Sequence, residues 1–558
     1  MASGPDIGNI QSGPLLRRAA SWCASSRLGH IVRRHPVLIV VALVILQQVF
    51  TFWSRDLWWS DEVRQANVLQ NLIEHGDWIA LQLNGAPYPD KPPLYFWLLA
   101  ALSWLFASDQ PPVILFGLAL TVIFFACAAY ATSMMIDADR RIALLSATIL
   151  VTGSYFLLLS HYARMDFLFA GFIALAWGCF YRGVRLPGAN RWIVWGFAAC
   201  AAATMTKGPF GFLLPLGAMT GFLLARGRLS RFLARDMAIG LAILLFAVLA
   251  WAAGIAWAES ADYLRRLLTG QLVGRSLKNS GNPIGYLQYL ALLPLLFLPW
   301  TLALVNLNWK HLRRSTIGRI RRTASLDPAS DSAVFLWSAM LSGLLILSAV
   351  GEKHEYYLLP MLIALSLNCA RFASTFTPRH SSAFWLAVAA ALSIIAILLA
   401  IASRLLPYEV STAGIVASSL VLVATSLLLV RVHRRPFHVG LVALALGQTL
   451  WANVFMLSVA PSLDRVMSPR SLVAAMQPYI DKGYAPASYA LTGGTLAYHL
   501  DRPYFEADDG FLPWLEGQTN AVVATPLAAW NRLPEGARLE EASRIGLAGD
   551  VIVIAVKR

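Results

Sequence analysis

The chain is built from apolar runs about as long as a bilayer is thick, and this limits its fold more than any motif does. A spanning helix needs about 20 predominantly apolar residues. Runs near that length recur at 36–53, 113–136, 142–160, 167–181, 192–206, 209–225, 237–257, 286–305, 334–350, 358–372, 383–402, 412–430 and 438–459. Charged residues make up 13% of the chain, against about 25% in a soluble protein. The sequence predicts an all-α polytopic membrane protein with about thirteen transmembrane helices. The first run lacks a small-residue cleavage site and reads as a retained span, not a signal peptide.

The formal net charge is +15, which in a soluble protein could suggest nucleic acid. Here the basic residues fall in short loops between apolar runs, so topology accounts for them and no nucleic-acid partner is expected. Cys23, Cys127, Cys179, Cys200 and Cys369 show no metal-ligand spacing, and neither disulfides nor cysteine chemistry is expected. No P-loop, dinucleotide fingerprint or His-Glu-x-x-His motif is present.

Arg17, Arg18, Arg27, Arg33 and Arg34 precede the first span and place the tail, residues 1–35, in the cytoplasm. Asp61 then lies outside. The next apolar stretch, Leu94–Ala107, is short for a span. If it crossed, the basic loops at Arg140, Arg182–Arg191, Arg226–Arg235, Lys310–Arg322, Arg379 and Arg431–Arg435 would all fall on the outer face. It is therefore expected to lie along the outer leaflet, as is the amphipathic stretch Glu62–Glu74 with its stripe Val63, Ala66, Leu69, Leu72 and Ile73. Residues 36–459 form the transmembrane domain, with the first periplasmic loop at 54–111. An odd number of spans leaves residues 460–558 outside, as a small α/β domain with a helix near Ser471–Ile480 and strands near Ala487–Leu491, Ala521–Thr525 and Val551–Val556.

This topology collects charge where the positive-inside rule disfavours it. Asp61, Glu62, Arg64 and Lys91 lie in the first outer loop. Arg164 and Asp166 lie in the second, Lys207 in the turn Thr206-Lys207-Gly208-Pro209, and Arg275 and Lys278 in Ala258–Gly285. Lys353, Tyr356 and Tyr357 lie in the outer run that begins at Glu352. Each has a plainer reading: acids starting a helix, an Arg164–Asp166 pair at a solvated end, or snorkelling lysines. Those readings must all hold independently on one face, whereas a shared cavity explains them together. Such a cavity suits sugar transfer from a polyprenyl phosphate. Lysine, arginine and tyrosine stabilise the departing phosphate, and a carboxylate takes or positions the acceptor proton. Asp61 and Asp166 are the candidate catalytic carboxylates. Glu62, Arg64, Lys91, Arg164, Lys207, Lys353, Tyr356 and Tyr357 are the candidate substrate-binding residues. No metal ligand set is assigned. No cofactor is required by this reading, and a divalent metal is left open.

Leu57-Trp58-Trp59-Ser60-Asp61-Glu62-Val63-Arg64, Gly76-Asp77-Trp78 and Asp90-Lys91-Pro92-Pro93-Leu94-Tyr95-Phe96-Trp97 resemble the first outer loop of GT-C glycosyltransferases. Within these, the likeness is to the protein O-mannosyltransferases and the aminoarabinose transferases of lipid A. Tyr162-Ala163-Arg164-Met165-Asp166, Met205-Thr206-Lys207-Gly208-Pro209, Leu298-Pro299-Trp300 and Lys353-His354-Glu355-Tyr356-Tyr357-Leu358-Leu359-Pro360 follow in the same order. The resemblance implies the GT-C fold with two periplasmic juxtamembrane helices and a C-terminal periplasmic domain. It also implies a bacterial inner-membrane inverting transferase that moves a sugar from undecaprenyl phosphate to lipid A or another envelope acceptor. The chain departs from the aminoarabinose pattern at Trp59-Ser60, Val63 and Asp90, which leaves sugar and acceptor open. A protein O-glycosyltransferase of the same fold and a polytopic transporter are the alternatives. A transporter is expected to carry its polar site near mid-membrane.

Overall fold

The structure is a computed structural model that describes residues 34–558 apart from 187, 259–262, 264, 266–282, 307–327, 352, 407, 501, 507–509 and 558. The arginines at 17–33, Cys23, Arg275, Lys278, Glu352 and the loop Lys310–Arg322 lie outside the described residues.

Among the described residues eight helices are long and apolar enough to cross a membrane, or nine if one bent pair is a single span. The remaining expected spans take other forms. The first is a shorter helix, Val37–Gln48, continued by turns, and Phe210–Ala225 is also short. Asn190–Lys207 is helical throughout but less apolar. The run 142–160 divides into Arg140–Val151 and Ser154–Leu159 around Thr152-Gly153. The run 286–305 bends by 91° around Leu298-Pro299, because proline lacks the amide that would continue the helix.

Ion pairs sort the helix ends into two groups. At one end Arg371 pairs with Asp137, and Arg226 and Arg185 reach Asp331 at 2.6 and 4.0 Å. At the other, Asp61 and Asp166 both bind Arg164, at 2.5 and 3.0 Å. That shared arginine fixes the topology between the two aspartates. They lie on one side, so an even number of crossings separates them. Pro111–Asp137 and the broken Arg140–Leu159 supply two, which leaves Leu94–Phe106 uncrossed, on the side of the two aspartates. Its 13 residues reach only about 20 Å as a helix, short of the ~30 Å hydrocarbon core. The helix is tied down by Trp97 Nε1, which donates to the Trp78 carbonyl at 2.8 Å.

The amphipathic stretch forms the helix Asp61–His75, ended by Gly76 at φ 76°. Only glycine adopts that left-handed position without strain. A small hairpin follows, β1 (Gln82–Leu83) with β2 (Ala86–Pro87). The C-terminal region carries β3 (Ala485–Ser488), β4 (Phe505–Glu506), β5 (Ala521–Pro526), β6 (Leu539–Leu547) and β7 (Asp550–Lys557) in the order β4-β3-β5-β7-β6. Helix Arg470–Ile480 packs Leu472, Met476 and Ile480 on one face of the sheet. Phe511 and Leu515 cover Val523 on the other. β3 ends earlier than its sequence suggests, because Ala490 takes φ 54° and turns the chain away. β6 is absent from the sequence reading. It is an edge strand carrying Glu540, Glu541 and Arg544, and charge on an edge, which blocks further pairing, erases the apolar alternation.

Lys207 is placed by a tight helical hairpin. Asn190–Lys207 and Phe210–Ala225 approach so closely that a Cβ on Gly211 would overlap the backbone of Ala203 and Thr204. Backbone cannot yield as a side chain does. Gly211→Ala is expected to lower stability by about 1–3 kcal/mol, read as a lower unfolding temperature of the purified chain in detergent.

Candidate active site

The site forms where three chain segments converge on Arg164. The first is the N-terminus of helix Asp61–His75. The second is the turn before helix Asp166–Arg185. The third is the loop entering helix Leu359–Ala373, where Glu355–Leu358 form a 3-10 turn.

Arg164 is the hub. Its guanidinium binds Asp61 Oδ2 at 2.5 Å and Asp166 Oδ2 at 3.0 Å, and it lies 3.6 Å from the ring centre of Tyr356. Burial works against its charge, but Asp166 and Asp61 outweigh that and hold its pKa well above the ordinary arginine value. Lys207 Nζ binds the second oxygen of Asp166 and stands 4.6 and 4.7 Å from the rings of Tyr356 and Tyr357. The Tyr155 hydroxyl is buried, without a hydrogen-bond partner among the described residues, and close enough to feel Asp166 and Arg164. Cations, carboxylates and phenols thus alternate over one small surface.

The two candidate carboxylates differ in access. Asp61 is 27% exposed, and its backbone amide is held by the Tyr162 hydroxyl at 3.2 Å. Asp166 is 2% exposed with both oxygens engaged. Asp61 can meet a substrate, whereas Asp166 orients Lys207 and Arg164.

Glu62 departs from its expected substrate-binding role. Its side chain is fully buried and accepts two bonds from Arg55, at 2.6 and 2.7 Å, with further bonds from the amides of Trp58 and Ala163. A carboxylate so saturated has no oxygen left for a ligand. It holds the segment before helix Asp61–His75 against the turn at His161–Ala163 instead. Glu62→Gln leaves the Arg55 charge buried without its partner, so a loss of about 3–5 kcal/mol is expected, measurable as poor yield and a lowered unfolding temperature.

Arg64 lies beside the hub, 3.8 Å from both Asp61 and Asp90 and 3.4 Å from the Tyr88 hydroxyl. Burial opposes its charge, and Tyr88, Asp61, Asp90 and Glu506 together outweigh it. Lys91 follows Asp90 directly and is partly buried. Lys353 is drawn off to the preceding helix end, donating to the carbonyls of Ser348 and Val350 at 3.2 and 2.5 Å. The structure therefore brings together Asp61, Arg64, Arg164, Asp166, Lys207, Tyr356 and Tyr357. Sequence reasoning missed Arg55, a basic residue on the disfavoured face that the positive-inside rule also flags. It missed Tyr155 as well, for which the sequence carries no signal. Among the described residues no group of three or more His, Cys, Asp or Glu is placed to hold a metal ion.

Comparison with known proteins gives a consistent picture. The family model described as dolichyl-phosphate-mannose-protein mannosyltransferase matches residues 34–264. An undecaprenyl phosphate-alpha-4-amino-4-deoxy-L-arabinose arabinosyl transferase of Edwardsiella ictaluri is 26% identical over 350 residues, 62% of this chain and 60% of the relative. Its counterpart in Yersinia enterocolitica is 26% identical over 58% of this chain and 56% of the relative. The alignable part thus spans less than two thirds of these relatives. The crystal structure of ArnT from Cupriavidus metallidurans bound to undecaprenyl phosphate superposes with a TM-score of 0.73, covering 95% of this chain and 98% of that one at 17% identity. At that identity the likeness is one of fold.

Proposed function

We propose that this chain, a multi-pass membrane protein with the GT-C fold and a sequence likeness to aminoarabinose transferases, is an inverting glycosyltransferase of the bacterial inner membrane. It takes a sugar, 4-amino-4-deoxy-L-arabinose or a close analogue, from undecaprenyl phosphate and gives it to lipid A or another envelope acceptor on the periplasmic face. The observation that carries this reading is the cluster of Asp61, Arg164, Asp166, Lys207 and Tyr356 at one end of the spans, with a buried carboxylate fixing two cations.

The chemistry follows from that cluster. An acceptor oxygen attacks the anomeric carbon from the face opposite the lipid phosphate. The carbon–oxygen bond to that phosphate breaks, and its electron pair leaves with the phosphate. Lys207 and Arg64, with Lys91 and the Tyr357 hydroxyl, are assigned to the phosphate, where fixed cations favour the charge that develops on it. Asp166 holds Lys207 and Arg164 in place beforehand, so little reorganisation is needed during transfer. A hydroxyl acceptor passes its proton to Asp61. An ionised phosphate acceptor has none to pass, and Asp61 then acts by holding Arg164 toward it. The family-model match keeps protein O-glycosylation as the second reading. The transporter reading is disfavoured, since the clustered charges sit at helix ends and not at mid-membrane.

Mass spectrometry of lipid A and envelope glycoproteins from cells with and without the gene tests the assignment. Loss of one sugar increment from lipid A supports it. Loss from a protein alone supports the second reading, and unchanged masses in both sink the transferase. The orientation has its own prediction. Single cysteines at Ala138 and His75, both exposed, should react with an impermeant thiol reagent from the cytoplasm and from the periplasm respectively.

A further inference from the structure

The segment that delivers Asp61 has no regular structure of its own, so its backbone amides need partners from elsewhere. Residues 55–58 belong to no helix or strand. The Asp56 amide donates to Asp464 Oδ2 at 3.0 Å, and the Leu57 amide to Asp56 Oδ1 at 2.8 Å. The Trp58 amide goes to Glu62 at 2.7 Å, and the Trp59 amide to the Met467 carbonyl at 2.7 Å. Both indoles reach the C-terminal region. Trp58 Nε1 donates to Asp464 Oδ1 at 2.6 Å and Trp59 Nε1 to Thr495 at 3.1 Å, while Ser468 donates to Asp56 Oδ2 at 2.9 Å. The Trp58 ring also receives Arg55, 4.5 Å from its centre. The loop before the catalytic helix is thus gripped by Arg55–Glu62 on one side and by residues 464–495 on the other.

We infer that Asp464 is a positioning residue for the transfer site, holding Asp61 in register by binding Trp58 and the Asp56 amide; this rests on the transferase reading above. Asp464 sits in the helix Ala460–Met467, which leads from the last span to the C-terminal sheet. Burial pushes its carboxyl above the ordinary range, and the Trp58 and Asp56 donors and Arg55 oppose that while Asp56 adds to it. Trp59 meanwhile packs against the core of the C-terminal sheet. Asp61 begins its helix two residues later, and its amide is held by the same Tyr162 hydroxyl that donates to the Trp59 carbonyl. A shift of the tryptophans therefore moves Asp61 against Arg164. The C-terminal region becomes part of the catalytic frame, although it supplies no reacting group.

The test uses full-length chain in lipid discs, with Asp464→Ala, Trp58→Phe, the double variant and Asp464→Asn. Trp58→Phe keeps an aromatic ring for Arg55 and removes the indole donor together with part of the ring. Displacements of about 1 Å cost up to about 10²-fold in rate. Each single variant should lower kcat at least about tenfold with the donor KM within about twofold of the parent. The double variant should be no slower than Asp464→Ala, which already removes the Trp58 contact together with that to the Asp56 amide. Asp464→Asn keeps one acceptor, enough for Trp58 but not also for the Asp56 amide, and should recover part of the rate lost in Asp464→Ala. Hydrogen exchange should quicken at residues 56–66 and stay unchanged in Pro111–Asp137. Parent-like kcat in Trp58→Phe, or exchange that quickens equally in both segments, overturns the proposal. A parent with no transferase activity at all would instead defeat the functional reading, and the exchange result would then judge the contact by itself.

Discussion

Asp61→Asn is expected to cut transfer by about 10³-fold, within the roughly 10²–10⁴ range for loss of a proton-accepting group, while the protein stays folded and inserted. The chemistry is lost because Asp61 is the exposed carboxylate of the cluster, and the amide cannot take a proton or hold the Arg164 charge with equal strength. Folding is spared because Arg164 keeps Asp166 at 3.0 Å. The helix loses only an acid from its first turn, worth about 0.3–1 kcal/mol. Turnover of purified donor by this variant, beside its unfolding temperature, checks both halves. Near-parental turnover would remove Asp61 from the mechanism.

Lys207→Met should lower turnover by roughly 10²-fold and also weaken the fold, and the two effects can be separated. Methionine fills most of the lysine volume but leaves one oxygen of the buried Asp166 without its cation. The Asp166 charge keeps Arg164 but loses its second cation, so the cost should fall below that of a fully broken buried pair, about 3–5 kcal/mol. Adding Asp166→Asn removes that charge, so the double variant should regain stability without regaining transfer. If it regains both, Lys207 serves the fold and not the phosphate. Binding of undecaprenyl phosphate should be weaker in Lys207→Met than in the parent.

Much of this site was legible because charge at one set of span ends is conspicuous in so apolar a chain. The positive-inside rule singled out Arg164 and Lys207, and the structure joins them through Asp166. What sequence did not show is that Glu62, expected to bind substrate beside the catalytic Asp61, turns away from the site. The two are adjacent acids, but a helix turns about 100° per residue, which sends Asp61 to Arg164 and Glu62 into the buried pair with Arg55. Lys353 also looked like a ligand-binding cation until its bonds to the Ser348 and Val350 carbonyls placed it at a helix end. The grip of Asp464 on Trp58 joins residues 406 positions apart, a contact that no local pattern announces. For the fold, apolar run length located the helices. It did not reveal that one run breaks at Thr152-Gly153, nor that another bends at Leu298-Pro299.

The central claim is that one face of this protein moves a sugar from a polyprenyl phosphate. The direct measurement is a reconstituted reaction in which the purified chain in lipid discs is given undecaprenyl-phosphate aminoarabinose and lipid A, and both products are followed by mass spectrometry. The predicted result is undecaprenyl phosphate and sugar-bearing lipid A appearing in equal amounts with the parent, and neither with Asp61→Asn. Donor that stays intact under the parent, or products formed equally by the parent and Asp61→Asn, would contradict it.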